Sequence, residues 1–589
     1  MHRYRLSQNR KSLAGRLLNR SLALGCELTD RWRLPPHFSV AGTLALILTF
    51  AYYSPVAASP LQVTPDTNRD KQPPNVLVIL ADDLGYSDLG CYGGEIQTPN
   101  LDRLANGGMR FSQFYNTARC WSSRAALMTG YYAQQVNYDN VPGYEKSKRR
   151  RPEWAQLLPE VLKAKNYRSF HSGKWHLDKR PIAAGFDRSY SLDDHGRFFS
   201  PRNHWLDDKK LQPISLDAGY YATTAVADYA VEFLQQHQTE YADQPFFGFV
   251  AFTAPHFPLH ALPEDIAKYK DKYSVGWNQL RSDRLEKMQQ LGITDKQLSA
   301  VEPEVGPPYA FPNTMQQLGP GEVNRPIPWN ELDPTQQKFQ ATKMEIHAAM
   351  VDRMDQEIGK ILAQLKAMNQ SQNTLILFLS DNGASAEIMI RDDGHDPTAS
   401  PGSAMSHLCL GPGWSNAANT PFRRHKTWVH EGGIHTPMIA YWPAGITKPR
   451  QINSTFAGHI VDVFASVLEL AELDSTSMAE SPNMPRRPGI SFIGQLRNIA
   501  AKQSLTPEHA TEDQSSDART LWWCHEGNAA IRQGNWKLIK SNDNSWELFD
   551  LGGDSTEQFD LAAQEPERVS AMAKQWATMA KTFMEDRDK

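Results

Sequence analysis

The chain has 589 residues, of which 40% are hydrophobic and 22% are charged, and its net charge at pH 7 is −4. This composition is that of an ordinary globular protein and excludes a disordered or fibrous chain. The length allows one large α/β domain with a smaller appendage. The negative charge, which becomes −10 after the cleavage predicted below, argues against nucleic acid as a partner.

The N-terminal region has the three parts of a secretory signal peptide. The first 39 residues contain eight Lys or Arg residues and two acids, and the 14-residue apolar run VAGTLALILTFAYY follows from Val40. Small residues at Val56 and Ala58 then provide a cleavage site. We therefore predict a signal peptide at 1–58 and a linker at 59–74.

Cleavage there would leave an exported chain, periplasmic or secreted, with a net charge of −10, because residues 1–58 carry eight basic and two acidic residues. An uncleaved membrane anchor is the alternative interpretation, but 14 apolar residues are short for a bilayer span. We expect no stable membrane span after cleavage, and we expect an anionic substrate to be bound by locally placed cations.

The first predicted element of the mature chain is a buried parallel strand. In NVLVILADDLG, an apolar run from Val76 to Leu80 ends at two acids, Asp82 and Asp83. A short helix follows in TPNLDRLANGG, where Pro99 takes the first helical position and glycines end the pattern.

Helical patterns then alternate with apolar strands. The helical patterns begin near Leu158, Thr223 and Lys338, and they precede the strand-like segments YRSFHSG, PFFGFVAF and TLILFLSDNG. This alternation predicts an α/β fold, with a large doubly wound, mixed and mostly parallel sheet flanked by helices over residues 75–519.

Two long stretches interrupt the alternation. Residues 257–336 are rich in Pro and residues 384–420 in Gly, Ser and Asn, and irregular stretches of this length are usually lids or binding loops. From about Thr520 the pattern changes to short aromatic strands broken by turns, with a helical tail after Ser555. We predict a smaller C-terminal antiparallel sheet with a closing helix at 520–589.

Acids at two strand ends indicate a metal site. Asp82 and Asp83 follow one predicted strand, and Asp381 and Asn382 follow another. Sites in doubly wound sheets lie beyond the carboxyl ends of the strands, and ligands that offer oxygen favour Ca²⁺ or Mg²⁺ over zinc. The alternative is that these side chains only cap helices or turns.

The segment CWSSRAALMTG places a cysteine at the predicted start of a helix. The positive end of the helix would favour an anion at Cys120, and Arg124 lies on the same helical face. Cys120 could be a thiolate nucleophile or a buried inert thiol. Cys91, Cys409 and Cys524 are the other cysteines after the predicted signal peptide. The four could form two disulfides, but if Cys120 is used chemically, at least one of the other three stays free.

Seven motifs occur in the order found in one enzyme family. From Asn75 onward these are NVLVILADDLGYSDLGCYGG, TPNLDRLANGGMRF, CWSSRAALMTG, GKWHL, APHFP, SDNG and HKTWVHEGGIHTP. The set resembles the formylglycine-dependent sulfatases, of the arylsulfatase type in the alkaline-phosphatase-like superfamily. The resemblance implies that a maturation enzyme oxidises Cys120 to formylglycine.

The resemblance also implies the roles of the site residues. A divalent metal, Ca²⁺ rather than Mg²⁺, would be bound by Asp82, Asp83, Asp381, Asn382 and the modified Cys120. The residues matching catalytic positions are Cys120, Arg124, Lys174, His176, His256 and Lys426.

These residue types suit sulfate ester hydrolysis. Lys174, Lys426 and the metal would hold the sulfate and stabilise charge that develops on it. One hydroxyl of the formylglycine hydrate would attack sulfur, with His256 protonating the leaving alcohol. His176 would then remove the proton of the second hydroxyl, so that sulfate leaves and the aldehyde is restored. The expected reaction is S–O cleavage of an aryl sulfate or a sulfated carbohydrate.

Three positions depart from the usual pattern of the family. Ser122 stands where proline is more common, Asp178 where glycine is usual and His435 where arginine is common. The first bears on which maturation enzyme accepts the site, and the other two on the rim of the pocket.

Two other functions fit parts of the sequence. A phosphodiesterase or phosphonate monoester hydrolase of the same superfamily is the nearer alternative, because related enzymes use the same fold and modification. A non-catalytic polysaccharide-binding protein is disfavoured, because a binding module would not need metal ligands, a nucleophile and acid residues together.

Overall fold

A computed structural model describes residues 72–391, 394–473, 484–498, 519–542 and 544–589. The predicted signal peptide and residues 59–71 of the predicted linker lie outside these ranges. Within them, no helix is both long enough and apolar enough to cross a membrane.

The strands of the described residues are β1 (Asn75–Asp82), β2 (Met109–Phe111), β3 (Phe114–Tyr115), β4 (Arg168–Gly173), β5 (Arg188–Leu192), β6 (His204–Leu206), β7 (Lys209–Lys210), β8 (Phe246–Pro255), β9 (Thr374–Ser380), β10 (Met438–Tyr441), β11 (Gln451–Asn453), β12 (Gly458–His459), β13 (Thr520–His525), β14 (Asn528–Gln533), β15 (Trp536–Lys540) and β16 (Glu547–Asp550).

The α-helices are α1 (Pro99–Gly107), α2 (Cys120–Thr129), α3 (Leu158–Leu162), α4 (Ala222–Glu240), α5 (Pro263–Ala267), α6 (Gly276–Gln290), α7 (Thr314–Leu318), α8 (Pro334–Ala367), α9 (Gly411–Ala418), α10 (Glu431–Ile434), α11 (Val461–Leu470), α12 (Ile493–Leu496) and α13 (Pro566–Arg587).

A ten-stranded sheet forms the centre of the fold, in the order β11-β2-β10-β9-β1-β8-β4-β5-β6-β7. The five strands β9, β1, β8, β4 and β5 lie side by side and are parallel to their neighbours. Strand β10 pairs antiparallel with β9 at one side of this group, and β6 pairs antiparallel with β5 at the other. The sheet is therefore mixed and mostly parallel, which confirms the predicted fold class.

Helices cover both faces of this sheet. Alternate residues of a strand point to opposite faces, and accordingly Leu77 and Ile79 pack in one apolar cluster while Val76 and Val78 pack in another. The first cluster takes its helical side chains mainly from α1, α4 and α8, and the second from α2 and α11. Burial on both faces explains why β1 is almost wholly apolar.

Strand register brings the predicted site residues to one edge. In the parallel pair β1 and β9, Ala81 lies beside Ser380, so Asp82–Asp83 and Asp381–Asn382 follow at the same level. The strands β8 and β4 are the next two in the sheet. His256 follows the end of β8 and Lys174 follows the end of β4.

The two stretches predicted to be irregular contain helices. Residues 257–336 include α5, α6 and α7, and residues 384–420 include α9. The prediction of irregular loops was wrong there because α6 carries few apolar residues and buries arginines instead, among them Arg284, which lies 2.8 Å from Asp88 and 2.8 Å from Glu95.

The C-terminal residues form a four-stranded antiparallel sheet, β13-β14-β15-β16, followed by α13. The helix begins at Pro566, about ten residues later than the pattern indicated. Trp523 Nε1 in β13 donates a hydrogen bond to the carbonyl of Asn116 at 2.8 Å, and Lys537 Nζ in β15 lies 2.6 Å from Glu431 Oε1. These contacts hold the small sheet against the residues that precede Cys120 and against α10.

The described cysteines are all unpaired. Cys91, Cys120, Cys409 and Cys524 are free and buried. The two disulfides that the sequence allowed among these four cysteines are therefore excluded.

Candidate active site

Cys120 is the first residue of α2, as the sequence predicts. Arg119 before it is extended, with φ −151° and ψ 143°, and the helix runs from Cys120 to Thr129. The first backbone N–H groups of a helix have no partner within it and carry its positive end. The side chain is 3% exposed, and its Sγ lies 3.5 Å from His176 Nδ1.

Arg124 connects this helix to the acidic cluster. Its Nε and Nη2 donate to Asp381 Oδ2 at 3.0 and 2.7 Å, and its Nη1 donates to the carbonyl of Lys174 at 2.5 Å. The guanidinium is fully buried. It therefore fixes the position of α2 relative to the ends of β9 and β4.

Each of the two adjacent aspartates is paired with a lysine. Lys174 Nζ lies 2.5 Å from Asp82 Oδ2, and Lys426 Nζ lies 2.8 Å from Asp83 Oδ1. All four side chains are at most 3% exposed. A buried charge is costly unless it is paired, so the site balances its carboxylates with cations.

Several oxygens at the strand ends have the character of metal ligands. Asp82 Oδ1, Asp381 Oδ1 and Asn382 Oδ1 are buried and accept no hydrogen bond from any described residue. Asn382 Nδ2 donates to Asp83 Oδ1 at 2.6 Å, which leaves its carbonyl oxygen to the cluster. Buried polar atoms normally have a partner, and hard oxygen donors suit Ca²⁺ or Mg²⁺. These residues fit a divalent cation.

His256 lies at the same cluster. Ligand atoms of Asp82, Asp83 and His256 all lie within 4.8 Å of one another, and His256 Nε2 is 3.7 Å from Asp83 Oδ2. The other ring nitrogen, Nδ1, is 2.5 Å from the carbonyl oxygen of Phe257, which can only accept. Nδ1 therefore carries a proton, and Nε2 is the nitrogen that can exchange one with a ligand.

Burial and nearby cations keep both predicted catalytic histidines neutral. Burial, followed by Lys426 and Lys174, holds the pKa of His256 well below its usual range. Burial, followed by Lys174 and Arg124, does the same to the pKa of His176. His176 is thus in the neutral form, and an anionic ligand beside His256 would raise the pKa of His256 again.

Two acids of the cluster have raised pKa values, whereas those of the two histidines are lowered. Burial and the neighbouring Asp82 raise the pKa of Asp381 to about 7. Burial also raises the pKa of Asp83, although Lys426 opposes the shift. The cluster therefore favours additional positive charge, as a cation site should.

Glu387 belongs to the site although the sequence analysis did not identify it. Its carboxylate lies 3.1 Å from Lys426 Nζ and 3.2 Å from Arg119 Nη1, and Ser385 Oγ donates to it at 2.8 Å. Burial would raise the pKa of Glu387, but Lys426 and Arg119 outweigh burial and lower it to about 2. Glu387 lies five residues after Asn382, just beyond the end of β9, and this position could have indicated in the sequence that it belongs to the site.

His195 is a second residue that was not identified. Its ring centroid lies 5.4 Å from that of His176 and 5.7 Å from that of His256. Burial, then Lys174 and His176, lower its pKa well below the usual range. No motif marked it, because it lies in the connection between β5 and β6.

Two pockets meet at His195. The pocket lined by Lys174, His176 and Arg180 among others is here called the inner pocket and has a volume of about 420 Å³. The other, here called the outer pocket, has a volume of about 550 Å³. Both are lined by Asp193 and His195. The outer pocket also takes residues from the two long stretches, including Pro258, His260 and Met405.

The structure brings all the predicted site residues to one region. Direct contacts join the predicted residues in three neighbouring sets: Cys120 with His176; Arg124 and Lys174 with Asp381 and Asp82; and Lys426, His256 and Asn382 with Asp83. His435 takes no part in these contacts, since its ring nitrogens contact Glu431 and the carbonyl of Ser112.

Comparison with known proteins identifies related chains. Residues 74–473 match the family model described as Sulfatase. The chain is 30% identical over 527 residues to an uncharacterized sulfatase of Schizosaccharomyces pombe, covering 80% of this chain and 86% of that one. It is 33% identical over 448 residues to the arylsulfatase of Klebsiella aerogenes, covering 70% and 90%.

A solved structure shows the same fold. The crystal structure of Ps i-CgsB in complex with k-i-k-neocarrahexaose superimposes with a TM-score of 0.59 at 23% identity, covering 86% of this chain and 93% of that one. At this identity the likeness concerns the fold alone.

Proposed function

The chain belongs to the sulfatase family, whose members hydrolyse sulfate esters, and we propose that it cleaves the S–O bond by means of a formylglycine formed from Cys120 and a bound divalent metal. The observation that carries this proposal is that the acids after β1 and β9, Lys174 after β4, Lys426 and Cys120 at the start of α2 meet beyond the carboxyl ends of the parallel strands. A structural cysteine would need none of these neighbours.

Asp82, Asp83, Asp381 and Asn382 would hold the metal, together with the modified Cys120. The unpartnered buried oxygens of Asp82, Asp381 and Asn382 support this set, and the preference of oxygen donors supports Ca²⁺, with Mg²⁺ second. When bound, the metal would polarise a sulfate oxygen, and the hydrated aldehyde would supply the attacking oxygen.

Lys174 and Lys426 would bind the sulfate group of the substrate. Both ammonium groups are buried and held in place by carboxylates, Lys174 by Asp82 and Lys426 by Asp83 and Glu387. Cations fixed in a water-poor site stabilise charge that develops on the transferred group without reorganising. Arg124 would hold Asp381 and the backbone of Lys174 in position.

Two histidines would move the protons. His256 has its Nδ1 proton engaged by the carbonyl of Phe257, so a proton for the leaving alcohol would come from Nε2. The negative charge of a bound sulfate ester would oppose the cations that depress its pKa. His176 faces Cys120 and is neutral, so it would accept the proton whose removal releases sulfate.

The burial of Cys120 bears on the maturation partner. At 3% exposure, the thiol is out of reach of another enzyme in the folded chain. We expect the formylglycine-generating enzyme to act on an extended segment around Cys120 before α2 packs into the sheet. We also propose that the chain is exported, on the basis of the basic and apolar pattern of residues 1–58.

Mass spectrometry of the peptide containing Cys120, combined with a sulfate release assay, tests the proposal. Protein made with a maturation enzyme should carry an aldehyde or its hydrate at Cys120 and hydrolyse 4-nitrophenyl sulfate, whereas Cys120→Ala should not. Assays with bis(4-nitrophenyl) phosphate at the same concentration measure the rival activity. An unmodified thiol in active protein, or a clear preference for the phosphodiester, would overturn the proposal.

A further inference from the structure

The outer pocket continues from the residues proposed to cleave the sulfate ester. Its wall includes His195, whose ring lies between those of His176 and His256 at centroid distances of 5.4 and 5.7 Å. Its volume of about 550 Å³ falls within the range of small-molecule binding sites. A sulfate group alone does not need this space, so a second part of the substrate fits there.

Apolar groups form much of the wall of this pocket. Phe198, Phe199 and Pro258 lie in it, and Leu216 and Met405 line it with 56% and 50% of their surface exposed. Exposed large apolar side chains around a concave surface indicate a binding site rather than a core. Such surfaces suit the apolar faces of sugar rings.

The acids of the pocket are already engaged. Asp193 Oδ2 lies 3.5 Å from Arg180 Nη2. Asp194 Oδ2 lies 3.7 Å from Arg197 Nε, and it accepts hydrogen bonds from the backbone N–H groups of Arg202 and Asn203 at 2.7 and 3.1 Å. Neither carboxylate pairs with Arg391, which also lines the pocket, although Asp194 Oδ1 has no hydrogen-bond partner among the described residues.

Arg391 lines the outer pocket and, unlike Arg180 and Arg197, pairs with no acid of the described residues. Its guanidinium carbon lies 4.9 Å from the centre of the Phe257 ring, next to His256, and it forms no ion pair with any residue of the described ranges. Its charge reaches the pocket wall: burial, His260 and Arg391 together lower the pKa of His407 to about 3.

We propose that the substrate is an acidic saccharide with a second anionic group, a sulfate or a carboxylate, that Arg391 binds in the outer pocket. The scissile sulfate would lie at Lys174 and Lys426, and the neighbouring sugar would pack on the apolar wall. The planar guanidinium, stacked on Phe257, presents a fork that matches either anion. This inference rests on the proposed sulfatase function and specifies its substrate class.

Binding measured by calorimetry tests the inference without turnover. Calcium-loaded Cys120→Ala protein would be titrated with a monosulfated disaccharide, with the same disaccharide carrying a second sulfate on the neighbouring sugar, and with the form carrying a carboxylate there. We expect one of the two doubly charged ligands to bind ten- to hundred-fold more tightly, the range for a hydrogen-bonded charge pair. The preferred ligand distinguishes sulfate from carboxylate.

Adding Arg391→Gln should remove this preference. The matched control is Arg103→Gln, which removes an exposed arginine that lines neither pocket and contacts Asn100. Equal affinity for singly and doubly charged ligands would overturn the inference, as would a preference that survives Arg391→Gln.

Turnover by the matured enzyme separates the inference from the function on which it rests. The ratio of kcat/KM for the doubly charged to the singly charged disaccharide should fall at least ten-fold in Arg391→Gln and stay constant in Arg103→Gln. A charge-dependent preference in binding together with no release of sulfate from any ester would overturn the proposed sulfatase function while supporting the anion site.

Discussion

Lys174 Nζ lies 2.5 Å from Asp82 Oδ2, and both side chains are buried, so a proposed sulfate-binding cation also neutralises a proposed metal ligand. Removing one member of a buried pair leaves the other charge unpaired, which typically costs about 3–5 kcal/mol. The anion-binding and cation-binding parts of the site are therefore coupled.

The first prediction follows from this pair. Lys174→Met should lower kcat/KM for 4-nitrophenyl sulfate by at least about 100-fold, the loss expected for a group that stabilises developing charge. It should also lower the thermal midpoint, because Asp82 stays buried. The exposed pair Lys148–Glu145, at 3.4 Å with side chains 75% and 71% exposed, supplies the control. Lys148→Met should change neither quantity measurably, and a Lys174→Met enzyme with near-normal activity would contradict the assigned role.

The second prediction concerns metal removal. Chelation should abolish sulfate release and lower the thermal midpoint, because a ligand that binds only the folded state stabilises it by about 2.7 kcal/mol at a hundred times its Kd. Ca²⁺ should restore both more effectively than Mg²⁺ at equal concentration, since the site offers several carboxylate and amide oxygens.

The thermal shift with Ca²⁺ should disappear in Asp381→Asn and persist in Asp208→Asn, which changes an exposed acid. A shift of equal size in Asp381→Asn would show that the ion binds elsewhere.

The local part of the site was predictable from the sequence. Asp82 ends an apolar run, and Cys120 starts a helix, so both follow from residues close to them in the chain. The meeting of Asp82 with Asp381 follows from general properties of parallel sheets, because β1 and β9 are neighbours in register. Resemblance to a family supplied the roles of Lys174, His176, His256 and Lys426, which strand patterns alone could not.

Site residues in the segments that connect the strands could not be predicted from local sequence patterns. Glu387 and His195 lie in segments whose course depends on what they pack against, and no periodic pattern marks them. Helix α6 was missed for a related reason, because it buries Arg281 and Arg284 beside polar partners instead of showing an apolar stripe. Tertiary ion pairs of this kind leave little trace in a single sequence.

The third prediction tests Glu387 as a positioning residue. Glu387→Gln removes one of the two carboxylates that hold Lys426, so kcat/KM for 4-nitrophenyl sulfate should fall about ten- to hundred-fold. Glu387→Asp, which keeps the charge, should recover part of this loss.

Glu95→Gln makes the same chemical change at a carboxylate that lies 2.8 Å from Arg284, outside the site. It should reduce stability but leave kcat/KM of the folded enzyme unchanged. If Glu95→Gln and Glu387→Gln lower kcat/KM equally, the effect of Glu387 is general destabilisation rather than the placement of Lys426.

The last prediction uses Asp355, a carboxylate far along the chain from the helix that it caps. Its Oδ1 accepts from the backbone N–H of Leu101 at 2.8 Å and its Oδ2 from that of Asn100 at 3.0 Å, at the start of α1. Burial raises the pKa of Asp355 from 3.8 to about 6, although these hydrogen bonds oppose the shift. The folded state therefore binds this proton more tightly than the unfolded state, and the resulting stability is present below pH 4 and lost as the pH rises through 6.

A shift of this size corresponds to about 3 kcal/mol. Asp355→Asn cannot ionise. At pH 4 the variant should be less stable than the natural chain, because a hydrogen-bond acceptor at the start of α1 is lost. The difference in stability between the two proteins should narrow by pH 7, because ionisation of Asp355 destabilises only the natural chain. Thermal midpoints measured at pH 4, 5, 6 and 7 give the comparison, and Asp283→Asn, at an exposed acid of α6, should show a constant difference. A gap that widens with rising pH would mean that ionised Asp355 is favoured by its three hydrogen-bond donors at Asn100 and Leu101, and that burial is the weaker influence.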